Sequence, residues 1–352
     1  MFESLLDVIR CPLTREKLSL SVISRKKKLF LGNEEDIIWE GILLGGDGSM
    51  YPIINGIPRM LIEACVDYEF FLKTHLPDYT ARKIKLLSQH WLLLDNVIRN
   101  NSHNKKSFSK EWGLFKYNSD KTWNLDSENM LQQFLDETNE TKESIKNKFI
   151  FDAGCGNGQL NISLAEAGVR SIAMDISDSI VRAFNYNTNP NVSFIQGDVF
   201  HPPVEAGRFD VVYCSGVLVA THDPKLGFSC IESCVKTGGK LSVWMYHPRK
   251  NFIHNMFNLV RKFSSLLPFR FQYYLYSATL LPLSYLIKKI KGTKQNAREM
   301  MIEILDWFSP KYRWEFEPAV LLKWYEKKKY ENILITTRNV FGFSIIGTKI
   351  NS

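Results

Sequence analysis

Between residues 148 and 248 the chain alternates short apolar runs with stretches of helical periodicity. The runs fall at 149–151, 171–174, 192–195, 211–213 and 240–244. Short runs with helix-length spacers are the βαβ pattern of a parallel sheet. After a break at 249–298 the pattern predicts a helix over 318–329, then strands over 333–337 and 343–348. Residues 63–147 read as helical, with Leu86, Leu87, Trp91 and Leu94 on one face and an interruption at the polar stretch 100–106. Residues 1–62 read as a small β-rich unit. There Ile53-Ile54-Asn55-Gly56-Ile57-Pro58 sets Asn-Gly between apolar residues, a hairpin signal, and Gly45-Gly46-Asp47-Gly48 marks another turn. No internal repeat or low-complexity tract interrupts this order, so the expected organisation is 1–62, a helical linker or lid over 63–147, and a main α/β domain over 148–352 carrying the insert 249–298.

Charge changes the picture in one place. The net charge is +8, yet no acid occurs in the 66 positions between Glu232 and Glu299, where 12 Lys and Arg lie. The other 286 residues carry a net charge of −4. A chain-wide nucleic-acid surface is therefore not expected, and DNA is not an expected partner; a local partner for the basic segment is. In that segment Ile253, Met256, Phe257, Val260, Phe263 and Leu267 share one helical face, with His254, Asn258, Arg261 and Lys262 opposite. This is the layout of an interfacial helix. Residues 269–287 are rich in Phe, Tyr and Leu, but Arg270, Gln272 and Pro282 argue against a membrane span. The insert is expected to meet an amphiphile, either an anionic membrane surface or a lipid-linked acceptor. The alternative is a pair of cap helices packed on the domain with solvated basic faces. The six cysteines form no CxxC, and the first residues carry neither a basic start nor a long apolar run. Reduced thiols, no signal peptide and a cytoplasmic location, peripheral at the inner membrane face, are the expectations.

The chemistry concentrates in Phe149-Ile150-Phe151-Asp152-Ala153-Gly154-Cys155-Gly156-Asn157-Gly158. An apolar strand ends in an acid and runs into glycines at every second position, with a helical pattern behind them. Glycines let the backbone approach a ligand, and the helix start offers free N–H groups. A dinucleotide loop wants G-x-G-x-x-G; here the spacing is G-x-G-x-G, and the acid before it would repel a pyrophosphate. The acid suits a cofactor carrying an ammonium and a sulfonium. Asp175 closes the second strand 17 residues after Gly158, where a carboxylate can take two ribose hydroxyls. Asp198 closes the third, where it can take an adenine amine. Phe209-Asp210-Val211-Val212 and the Gly238-Gly239 turn complete the series.

In order and spacing, residues 149–246 resemble the class I methyltransferase family that uses S-adenosylmethionine (SAM). The resemblance implies a Rossmann-like sheet of seven strands, the last antiparallel, with helices on both faces. It implies SAM contacts at Asp152, Gly154, Gly156, Gly158, Asp175, Ile176, Asp198, Val199, Cys214 and Ser215. Related bacterial members carry paired histidines after the fourth strand; here Val219 and Ala220 stand in their place, so no role passes from that pair. A sulfonium is an activated methyl donor and needs no base when in-line placement suffices. If the acceptor must lose a proton, His222, Tyr246 and His247 are the candidates by position. Cys155 and Cys214 are read as small strand-end residues rather than nucleophiles. The aromatics Trp112, Phe115, Tyr117 and Trp123 are read either as a lid over the cofactor or as core packing.

The N-terminal segment, through Leu5-Leu6-Asp7-Val8-Ile9-Arg10-Cys11-Pro12 and Tyr51-Pro52-Ile53 with Asn55-Gly56-Ile57-Pro58, resembles the small zinc-ribbon-related domain that activates some tRNA and translation-factor methyltransferases. Cys11 is the one cysteine before Cys65, so no metal is expected, and the unit should pack on the catalytic domain. The expected acceptor is a small molecule, glycan or lipid-linked compound in a site shaped by 249–298. The alternative is RNA or protein. A binding protein that keeps SAM without catalysis is a lesser one, against which the intact Asp175 and Asp198 speak.

Overall fold

Asn55 and Gly56 both take positive φ, 54° and 78°. They close the tight turn that pairs Ile54 with Ile57, as the Asn-Gly signal requires. In this computed structural model, which describes residues 1–249, 251–293 and 295–350 and leaves the side chain of Ile253 outside that set, the turn belongs to a four-stranded antiparallel sheet. Its strands are β1 (Ser19–Phe30), β2 (Asn33–Leu44), β3 (Met50–Ile54) and β4 (Ile57–Pro58), paired in chain order. Helices α1 (Ala64–Asp67), α2 (Glu69–His75), α3 (Tyr79–Trp112) and α4 (Ser127–Thr138) follow.

The main domain runs β5 (Phe149–Ala153), α5 (Gln159–Glu166), β6 (Arg170–Asp175), α6 (Ser179–Tyr186), β7 (Val192–Gln196), β8 (Phe209–Ser215), α7 (Pro224–Glu232) and β9 (Val235–Tyr246). Helices α8 (Phe252–Ser264), α9 (Phe269–Ala278), α10 (Leu280–Ile290), α11 (Ala297–Phe308) and α12 (Pro318–Lys327) come next, and β10 (Tyr330–Arg338) and β11 (Gly342–Lys349) close the chain. The seven-stranded sheet has the order β10-β11-β9-β8-β5-β6-β7, with β11 antiparallel to both neighbours. The chain reverses its direction of build between β5 and β8. At such a switch point the carboxyl ends of the strands open a crevice for ligands.

The N-terminal sheet is joined to the free edge of β7. The Met60 N–H donates to the Gln196 carbonyl at 2.8 Å, and the Arg10 N–H donates to the Pro203 carbonyl at 3.0 Å. Leu43, Tyr51, Ile53 and Met60 share one core with Phe151, Met174 and Ile195. This contact covers an edge strand that would otherwise present unpaired backbone groups.

Two helical expectations change. The polar stretch 100–106 does not interrupt α3, which runs unbroken for 34 residues. Its asparagines find partners that local sequence cannot reveal: Asn101 Nδ2 donates to Asp198 Oδ2 at 2.9 Å and Asn104 Nδ2 to the Ala220 carbonyl at 2.7 Å. Trp91 is exposed while Leu86 and Leu94 are buried, because five residues at roughly 100° each carry it about 140° away from Leu86.

The insert does not shape the cavity described below. None of its described residues lines that cavity. Instead Phe257, Phe269, Tyr273, Tyr276 and Leu280 pack on Met301, Ile304, Leu305 and Phe308 of α11. This apolar contact holds the insert behind α11, whose other face lines the cavity. Among the described residues no helix is long and apolar enough to cross a membrane.

Candidate active site

β5 delivers Asp152 and then the glycine loop. Gly154 has φ of 107°, and a Cβ there would drive into Val217; a Cβ on Gly156 would lie 3.1 Å from the Trp112 ring. The loop is fastened to β6. The Gly154 and Cys155 N–H groups donate to the Met174 carbonyl at 2.8 and 2.9 Å. The Gly156 N–H donates to Asp175 Oδ2 at 2.9 Å. Asp175 Oδ1 accepts from the Ser177 N–H at 2.8 Å and its hydroxyl at 2.6 Å. Burial raises the Asp175 carboxyl despite these donors.

Asp152 accepts from Asn161 Nδ2 at 2.6 Å. Its carboxyl is pushed up to about 7, first by burial and then by the charge of Asp175. Asp198 differs. Burial works against its charge, but His201, Asn101 and the Phe200 N–H outweigh it and hold the carboxyl below its ordinary range. Asp152 and Asp175 are thus acids short of positive charge, and Asp198 is an anion already clamped by α3.

These residues open on one cavity of about 820 Å³ along the carboxyl ends of the main sheet. Over β5, β6 and β7 its wall holds Asp152, Gly154, Gly156, Asp175, Ile176, Asp198 and Val199. Over β8, β9 and β11 it holds Ser215, His222, Trp244, Tyr246 and Phe341, with Glu303, Asp306 and Trp307 from α11. Gly158, Cys214 and His247 are not on the wall. Gly158 faces Phe194 and Ala183 inside the fold. Cys214 is a buried strand residue whose thiol burial pushes up. The His247 ring nitrogens lie 3.1 Å from the Pro248 and Asn339 carbonyls.

Of the four aromatics before the domain, two face the cavity and two serve the core. Trp112 and Trp123 meet edge to face at 6.1 Å and both line the cavity. Phe115 is buried, and Tyr117 stacks on Tyr186 and donates its hydroxyl to the Asn157 carbonyl at 2.6 Å.

The proton chemistry of the far end centres on Tyr246. Its hydroxyl donates to Asp306 Oδ2 at 3.2 Å, while the Arg313 guanidinium lies 4.1 Å from the Tyr246 and Trp307 rings. Burial raises the Asp306 carboxyl. His222 lies against Phe200, ring centres 4.2 Å apart and planes tilted by 31°, and has no carboxylate partner among the described residues. Sequence reading missed Asn101, Glu303, Asp306 and Trp307. The local signal for Asn101, Glu303 and Asp306 was a polar or acidic residue within a helical pattern; Trp307 had none that set it apart from a core residue.

Residues 151–243 match the family model of the methyltransferase domain. The matched stretch runs from β5 into β9 and contains the glycine loop, the three strand-end acids, Ser215 and His222. The chain is 29% identical over 105 residues to a ubiquinone biosynthesis O-methyltransferase of Coxiella burnetii, an alignment covering 29% of this chain and 45% of the relative. It is 33% identical over 98 residues to one from Xanthomonas axonopodis, covering 26% and 40%. The chain thus spans less than half the length of the curated relatives it matches. Among solved structures, magnesium protoporphyrin IX methyltransferase from Synechocystis with bound SAH aligns with 63% of this chain and 81% of its own, at 16% identity and a TM-score of 0.37. Human N-acetylserotonin methyltransferase in complex with SAM aligns over 65% and 53%, at 14% identity and a TM-score of 0.40.

Proposed function

We propose that this chain is a SAM-dependent methyltransferase acting on a small-molecule acceptor. The observation that carries the reading is the convergence of a glycine loop and three strand-end acids on one end of a cavity whose other end holds an aromatic wall and a tyrosine–carboxylate pair. Two buried acids raised in pKa beside glycines are a fit for a cationic ligand, because a positive charge relieves their desolvation. Asp152 would face the ammonium end, Asp175 the ribose hydroxyls, and Asp198, held by Asn101, the adenine amine. Bound SAM supplies a methyl group already activated on its sulfonium. Trp112 lies against Gly156 and lines the cavity together with Trp123, and aromatic rings there would attract that positive charge.

At the acceptor end Trp244, Trp307 and Phe341 offer flat walls for an apolar or aromatic body, free or lipid-linked. Tyr246 stands where an acceptor hydroxyl or amine can hydrogen-bond to it, and Asp306, an acid whose raised pKa makes it a better base, can take the proton through it. The carboxylates of Glu303 and Asp306 disfavour a phosphate backbone, so RNA is the weaker choice of acceptor.

Calorimetric titration of the purified chain with SAM tests the reading. In Asp175→Ala the lost charge-assisted bonds to hydroxyls should weaken binding by about 1.5–3 kcal/mol. Equal affinity in wild type and a folded Asp175→Ala variant would remove Asp175 from the site.

A further inference from the structure

Helix α8 turns His254, Asn258 and Arg261 of its polar face inward and leaves Lys262 exposed. His254 is only 4% exposed; its Nε2 lies 2.7 Å from Glu315 Oε1 and 3.1 Å from Asn258 Nδ2. Arg261 Nη1 donates to the Pro310 carbonyl at 3.1 Å. Phe257 packs inward on α11, but the other described apolar side chains of α8 and of the turn after it face out: Phe252 is 77% exposed, Phe263 66% and Leu266 76%. Cap helices packed on a domain bury the apolar stripe and solvate the polar one; α8 buries His254 and leaves Met256, Leu259, Val260 and Phe263 exposed. The next two helices continue it, with Phe271, Tyr274 and Ile290 at 66%, 71% and 78% exposure. Helices α8, α9 and α10 all pack on α11, so they form one layer whose far side is uncovered.

We propose that this layer seats the protein on a bilayer surface containing anionic lipid. Exposed cations accompany the apolar side chains: Lys262, Arg270, Lys289 and Lys291, in a stretch of 66 residues without one acid. A face of single sign repels a second copy of itself and attracts anionic headgroups. Large apolar side chains spread over three short helices suit an interface that adapts to them, with the chains inserting below the headgroups. The inference rests on the methyltransferase reading only for its purpose. Met301, Ile304, Leu305 and Phe308 of α11 carry the insert, while Glu303, Asp306 and Trp307 of the same helix line the cavity. A docked insert therefore leaves the acceptor end about one helix diameter, roughly 10 Å, from the layer that touches lipid. An amphiphilic acceptor fits that placement.

The test is co-sedimentation of the full chain with vesicles of phosphatidylcholine alone and of phosphatidylcholine with phosphatidylglycerol, at low and moderate salt. Binding is expected only with phosphatidylglycerol and should weaken with salt. Phe263→Glu with Leu266→Glu, both on exposed positions, should reduce partitioning at least tenfold. Lys289→Glu with Lys291→Glu should reduce it roughly fivefold per residue. SAM affinity, measured on the same preparations, should be unchanged in both variants, which separates failure of docking from failure of the methyltransferase reading. A chain that stays in the supernatant with anionic vesicles at low salt overturns the proposal. So does light scattering that shows a stable dimer dissociated by Phe263→Glu, since the face would then belong to a second copy.

Discussion

Asp152→Asn should move two properties of the protein in opposite directions. In the folded protein the Asp152 carboxyl titrates near 7 instead of its usual 3.8, because burial and then the neighbouring Asp175 disfavour its charge. That difference corresponds to about 4 kcal/mol against the anion. Since the folded value lies above the unfolded one, the fold binds the proton more tightly. The associated stability is fully present below about pH 4 and is lost as pH rises through about 7. Asparagine keeps the size and the contact with Asn161 but has no charge to lose. Apo wild type and variant should therefore melt together at low pH and diverge at pH 8. With an unfolding entropy of roughly 2 cal/mol/K per residue, 4 kcal/mol amounts to roughly 5 °C for a chain of 352 residues, in favour of the variant.

Cofactor affinity should change the other way. The carboxylate is the form that holds a cation, so the variant should bind SAM about 10- to 100-fold less tightly at pH 8, the loss of one charge-assisted bond. In wild type the ionised fraction rises from about a tenth at pH 6 to about nine-tenths at pH 8, so the ratio of wild-type to variant affinity should grow roughly tenfold over that range. The amine of the ligand also titrates near 8, but it does so against both proteins and cancels in the ratio. Scanning calorimetry of the apo proteins and isothermal titration at three pH values provide the readings. Parallel melting curves, or an affinity ratio that stays flat from pH 6 to 8, would refute the assignment of Asp152 as a buried acid awaiting a cation.

Tyr246→Phe should lower turnover by roughly 10²–10⁴-fold while leaving SAM affinity in place; once an acceptor is found by screening aromatic and amphiphilic hydroxyls and amines, unchanged turnover would dismiss the Tyr246–Asp306 pair. Gly154→Ala forces a side chain into φ of 107° and against Val217, which should cost about 1–3 kcal/mol and abolish SAM binding in a chain that retains its circular dichroism; normal binding would show that the loop does not need this conformation.

The parts of this architecture that were legible in the sequence are those whose signal is local. The runs at 149–151 and 171–174 end in Asp152 and Asp175 within a residue of where the strands end, because a buried parallel strand must be apolar and must stop where the chain turns. The Asn55-Gly56 hairpin was equally local. Partners distant in sequence were not legible. Asn101 meets Asp198 across 97 residues and Tyr246 meets Asp306 across 60, and no spacing rule links them. The period of α8 was readable too, but whether its polar stripe faces inward depends on Glu315, 61 residues beyond His254. β1 escaped for another reason: Arg25, Lys26, Lys27 and Lys28 run through it without a polar–apolar break and only Phe30 is fully buried, so it lacks the alternation that marks a half-buried strand.

Helix α3 gives the N-terminal unit a physical reason to be part of this fold. A rod of 34 residues is about 51 Å long. Its first half, through Tyr79, Leu86, Leu94 and Val97, packs in one cluster with Ile42 and Met50 of the N-terminal sheet. Its second half lies on the cavity, where Asn101 holds Asp198, Asn104 holds the Ala220 carbonyl, and Trp112 rests on Gly156. That second half is Asn, Ser, His and Lys at 100–107. Asn, Ser and His are poor helix formers, and a stretch this short would be marginal as an isolated helix. It stays helical because the apolar half is anchored and because Lys105 ties it to Glu63 at 2.9 Å and to Asp67. The N-terminal sheet is in turn fixed to β7, the strand that leads to Asp198. Both the clamp on Asp198 and the strand carrying it are thus referred to one foundation, which fixes their spacing more tightly than a lid on a free linker could.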